Sequence, residues 1–149
     1  MSMYDSNDLG LCAGSLVQAD FRGLAEAAAA AGFTSITMWP NLFYDALDSG
    51  LSEKDLRQIL ADNNLNITEL DPLCSWLPIN PYDADLAGPF AAYSEDDYFR
   101  IADSLGARSI NVIHATADPV AQNELVDRLA DLCERAWQRN LLVSVRSEE

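Results

Sequence analysis

Short apolar runs alternate with amphipathic segments along this chain, and the punctuation between them repeats. Leu51-Ser52-Glu53-Lys54-Asp55-Leu56 has a second copy in Tyr93-Ser94-Glu95-Asp96-Asp97-Tyr98. In each, Ser is placed to cap a helix and the Asp three residues on to answer it. The flanking apolar pair can clamp across the turn. A strand that feeds a capped helix, over and over, builds a parallel sheet, because parallel strands need a helical crossover between them.

Strands are predicted over 9–13, 35–39, 66–71, 109–114 and 141–145, the second closed by Pro40 and the third by Pro72. The first helix takes Asp20 as its cap. Phe21, Leu24, Ala25 and Ala28 form its apolar face, and Gly32 its stop. The second starts at Ser52, and the third runs from Ser94 to Leu105-Gly106. The fourth takes Asp118 as cap and Pro119 at its first position. Its face of Leu125, Leu129, Leu132, Cys133 and Ala136 continues to Asn140. The fold class expected is α/β: a partial TIM (β/α) barrel of four βα units plus a fifth parallel strand, one domain over 1–149.

One connection, 74–93, breaks the rhythm. It holds Pro78, Pro81 and Pro89, with Trp76, Tyr82 and Phe90 between them. Long loops inside compact domains are commonly functional. This one follows strand three, so it is expected either to cover a ligand or to pack its aromatics over the rim.

The chain carries 24 Asp and Glu against 9 Lys and Arg, a net charge of −15. Phosphate backbones and anionic membrane surfaces both repel it, so no nucleic-acid or membrane partner is expected. No stretch reaches the roughly 20 apolar residues that span a bilayer. The polar start, Met1 to Asp8, has no apolar signal core. Cys12, Cys74 and Cys133 are few, odd in number and far apart, unlike a disulfide scaffold, and point to a reducing cytoplasm. Cys12 and Cys74 are expected to be small buried hydrophobes, and Cys133 to lie in the core.

An open receiver-like sheet of similar length needs an acidic cluster after strand one and a Lys closing strand five. Cys12-Ala13-Gly14 and Arg146 stand there instead. Gly10-Leu11-Cys12-Ala13-Gly14 also lacks the glycine spacing of a nucleotide-binding turn. Leu9-Gly10-Leu11-Cys12, Ala30-Ala31-Gly32-Phe33, Ile36-Thr37-Met38-Trp39, Glu69-Leu70-Asp71-Pro72 and Leu105-Gly106-Ala107-Arg108-Ser109-Ile110-Asn111-Val112 together resemble the first half of a xylose isomerase-like TIM barrel. That superfamily includes the sugar phosphate isomerase/epimerase family.

The resemblance implies a sugar or sugar-phosphate-like substrate and a divalent metal (Mn, Mg, Co or Zn). The ligands would come from strands five to eight, beginning with a Glu that closes strand five. Arg146 occupies that place, and Glu148 and Glu149 come too late. The metal ligands, and with them any catalytic residue, are therefore expected to be missing from this chain. Such a chain would be a truncated and inactive isomerase or epimerase, through fragmentation or a reading frame that diverges near Arg146. The alternative is a non-catalytic half-barrel, a binding or assembly module that self-associates through its open sheet edges.

Candidate substrate contacts are few. Trp39 offers an apolar wall for a sugar ring, or rim packing. Glu69 and Asp71, two apart on one strand, share a side and either bind hydroxyls or form a polar inner layer. His114, the single histidine, ends strand four and is read as a substrate contact or a satisfied core residue rather than a metal ligand.

Overall fold

The computed structural model describes residues 9–78, 87–116 and 118–146. Five strands form one sheet in the order β1-β2-β3-β4-β5, each parallel to its neighbour. They are β1 Gly10–Leu11, β2 Ser35–Met38, β3 Asn66–Leu73, β4 Ser109–Ile113 and β5 Leu142–Arg146. The helices among the described residues are α1 Phe21–Ala30, α2 Pro40–Asp48, α3 Glu53–Asp62, α4 Glu95–Leu105 and α5 Gln122–Trp137. Short 3-10 turns cover Ala13–Leu16 and Gly88–Ala92.

Strand order separates the two folds that repeated βα units allow. A doubly wound sheet reverses direction partway and places helices on both faces. Here the order never reverses, so right-handed crossovers put every helix on one face, as in a barrel wall. Ile36, Met38, Ile67, Leu70, Ile110 and Val112 point to that face and are fully buried, with Phe21, Leu24, Phe43, Leu56, Tyr98 and Ile101 packed in the same core. The pleat turns Thr37, Glu69, Asn111 and Ser144 to the opposite face. The architecture is thus a partial TIM barrel with an apolar helix-covered side and a polar concave side.

Both repeated caps form. Ser52 Oγ accepts from the Asp55 N–H at 3.2 Å, and Asp55 Oδ2 accepts from the Ser52 N–H at 2.8 Å. Ser94 and Asp97 repeat the exchange at 3.4 and 2.7 Å. Asp20 caps α1 through the Gly23 N–H, and Gly106 closes α4 with a left-handed backbone (φ 73°) that favours glycine.

Several elements depart from the sequence reading. β1 stops at Leu11, because Ala13 enters a 3-10 turn held by its N–H on Thr37 Oγ1 at 3.2 Å. Pro40 does more than close β2: it opens α2, which buries Leu42, Phe43 and Ala46. β3 runs on to Leu73 through a register shift against β4. α5 begins at Gln122 rather than after Asp118, whose N–H is used in a local turn on Thr116 Oγ1.

The expected burial also needs correction. Cys133 and Cys12 are exposed, and only Cys74 is buried. β5 is an edge strand rather than a fully buried one, with Leu142 and Val145 exposed. Trp137, one turn beyond Cys133 and expected to cover the barrel's outer shell, lies open to solvent at 74%. Cys133, Trp137, Leu142 and Val145 share a place, the β5 end of the sheet, beyond which no further strand is described; Cys12 lies at the other end, after β1.

Candidate functional site

Glu69 and Asp71 alternate with Leu70 on β3, so the fully buried Leu70 anchors the strand while both carboxylates turn to the concave face. Neighbouring strands meet them there. Asn111 on β4 donates its Nδ2–H to Asp71 Oδ1 at 2.5 Å. Ser144 on β5 donates its hydroxyl to Glu69 Oε2 at 2.7 Å and lies 3.3 Å from Asn111 Oδ1. Asn111 with Asp71 and Ser144 with Glu69 thereby form two adjacent donor–carboxylate pairs across three strands.

Asn111 and Ser144 were not singled out from the sequence, although a signal was present. Each is a lone polar residue inside an apolar strand, Ile110-Asn111-Val112 and Val143-Ser144-Val145. A polar residue at the period of a strand's inner face marks that face as wet or functional.

The other candidates stand apart from these pairs. Trp39 packs its ring edge-on against Phe90, centroids 5.5 Å apart. It also lines a cavity of about 330 Å³ between α1 and α2 with Leu42 and Asp45. His114 is exposed just past β4, and no described hydrogen bond reaches it. No described contact joins Trp39 or His114 to the carboxylates.

The connection after β3 is tied down at both described ends. Trp76 donates its indole N–H to the Ile113 carbonyl at 2.7 Å, and Ser75 Oγ donates to the Tyr93 carbonyl at 3.0 Å. The Tyr98 hydroxyl, fully buried, donates to the Pro72 carbonyl; burial drives its pKa upward. Pro81 and Tyr82 lie outside the described residues, as do Glu148 and Glu149. Burial, with Asp71 nearby, pushes the Cys74 thiol up to about 11, which leaves no thiolate for nucleophilic work at neutral pH.

Arg146 is the last residue of β5, paired with Ile113, and strand alternation places it on the same face as Ser144. No group of three or more His, Cys, Asp or Glu among the described residues is arranged to hold a metal ion. The described donor set therefore does not by itself fit the divalent metal that the resemblance implies.

Neither a protein-family model nor a curated protein matches the chain. Solved structures do. A xylose isomerase-like TIM barrel/4-hydroxyphenylpyruvate dioxygenase fusion protein is 26% identical with a TM-score of 0.70, covering 93% of this chain and 21% of that one. The IolI protein, solved with a bound zinc atom, is 12% identical with a TM-score of 0.72 over 94% of this chain and 51% of that one. D-psicose 3-epimerase, solved in the presence of D-fructose, is 15% identical with a TM-score of 0.58 over 90% and 50%. The chain thus spans about half the length of the latter two structures.

Proposed function

From a chain that folds as the N-terminal half of a xylose isomerase-like TIM barrel, we propose one side of a sugar isomerase/epimerase-like mouth. In this reading residues 9–146 supply carboxylates that hold substrate hydroxyls but do not complete a catalytic site. The observation that carries it is that Glu69 and Asp71, each held by its own donor, share the face that no described α-helix covers. Ionised carboxylates are acceptors only, suited to the hydroxyls of a polyol.

Aldose–ketose isomerisation and epimerisation need a base beside a carbonyl and an electrophile for the oxyanion that forms. The described residues offer candidate bases but no metal cluster. Arg146 stands at the strand-five position where the resemblance expects a Glu ligand. The missing groups would have to come from beyond these residues. The test is ligand-observed NMR with D-fructose and D-fructose 6-phosphate, with and without Mn²⁺. Saturable binding that weakens in Glu69→Gln and is indifferent to Mn²⁺ is expected. Absence of saturable binding, or stoichiometric Mn²⁺ uptake with turnover, would overturn the reading.

A second reading, an assembly module, is favoured by where exposed apolar side chains collect. Leu9, Leu16 and Val17 lie at the β1 edge, and Val126, Trp137, Leu142 and Val145 at the β5 edge. Unpaired edges of this kind invite association. A charge of −15 opposes the pairing of two copies, so association should strengthen with salt. Sedimentation that finds a monomer from low to high salt would remove this reading. The proposed location is the cytoplasm: all three cysteines are free, and no described helix is long and apolar enough to cross a membrane.

A further inference from the structure

We propose that Asn111 and Ser144 are the positioning residues of this face. The inference rests on the reading of Glu69 and Asp71 as substrate contacts, and extends it by naming what orients them. A carboxylate donates nothing when ionised, so a fixed rotamer requires a donor from elsewhere. Asp71 receives that donor from Asn111 and Glu69 receives it from Ser144.

Asn111 turns its amide nitrogen to Asp71, which leaves its oxygen 3.3 Å from Ser144 Oγ; the one Ser144 hydroxyl proton goes to Glu69 at 2.7 Å, so the two donor–carboxylate pairs lie side by side. Asn111, 2% exposed, cannot touch a ligand itself and acts through the carboxylates. The arrangement leaves Glu69 Oε1 and Asp71 Oδ2 as acceptors without a described protein donor. Ser144 lies 75 positions after Glu69 in the chain, so the geometry of a β3 carboxylate is set by β5.

The experiment measures three-bond side-chain couplings of Glu69 in the labelled full chain, alongside titration with D-fructose. A single Glu69 rotamer is expected in the unmodified protein, averaging in Ser144→Ala, and a single rotamer again in Ser144→Thr, which restores the hydroxyl. D-fructose binding should weaken about tenfold in Ser144→Ala and recover in Ser144→Thr, the size of one hydrogen bond to a charged group. Should Ser144→Ala unfold, Ser144→Val removes the hydroxyl while favouring the strand. Averaged couplings in the unmodified protein, or a single rotamer that survives loss of the hydroxyl, would overturn the proposal. If the couplings behave as expected and no form binds D-fructose, the positioning role stands and the sugar-binding reading falls.

Discussion

Asn111 on β4 reaches across to Asp71 on β3 at 2.5 Å, and both side chains are buried. Removing the donor while keeping the volume strands a buried carboxylate. Asn111→Leu is therefore expected to cost about 2–3 kcal/mol, the penalty of a buried charged group left without its partner. Urea unfolding measures it; a loss under 0.5 kcal/mol would show that Asp71 finds another donor.

Tyr44 gives an alkaline signature. Burial first, then its hydrogen bond to Asp97, pushes the phenol from 10.0 to about 12. A phenol with a raised folded pKa contributes stability that is complete below pH 10 and lost as pH climbs through about 12. Ultraviolet titration should show a late phenol step that Tyr44→Phe deletes. The alkaline decline of stability should flatten in the same variant.

Asp97 sits at the other end of that bond and also caps α4. Burial raises its pKa, but the Tyr44 hydroxyl and the Ser94 donors outweigh it, and the carboxyl is held below its usual range. Its contribution is present above the ordinary carboxylate pKa and disappears as pH falls through the lowered value. Asp97→Asn should cost about 1 kcal/mol near neutral pH, as expected for a damaged helix cap, and should make the acid limb of the stability curve shallower. Chemical unfolding at several pH values checks both.

Trp76 anchors the start of the long connection on the last residue of β4 through one indole hydrogen bond of 2.7 Å. Trp76→Phe keeps the ring and removes the donor. A loss of about 1 kcal/mol is expected, together with faster hydrogen exchange at Ser75 to Leu77. Unchanged exchange would mean that packing alone holds the loop.

Chelation should leave this fold untouched. With no cluster of three metal-binding side chains among the described residues, EDTA is expected to leave the thermal midpoint where it was. A fall in the midpoint would reveal a structural metal.

What the sequence determined by itself is local in range. Ser52 with Asp55, Ser94 with Asp97, Asp20, and the apolar period of α1 all act within one or two helical turns, so neighbouring residues suffice to specify them. The spacing of Glu69 and Asp71 was legible for the same reason. Pro40 shows the limit: a proline can close a strand or open a helix, and the packing of Leu42 and Phe43 chose the second. Cys133 shows another: its neighbours Leu132 and Ala136 on the same predicted face are fully buried while it is exposed, since helical spacing assigns a face without fixing how wide the buried stripe is.

Only the tertiary structure brought Asn111 and Ser144 to the two carboxylates. That meeting depends on the register of β3 with β4 and of β4 with β5, including the shift after Leu70. A slip of one residue would turn Asn111 or Ser144 to the helix side and leave the carboxylates without donors. Register is settled by burial of the opposite face, where Leu70, Ile110 and Val143 line up. The polar site is thus the consequence of apolar packing on the other side of the same sheet.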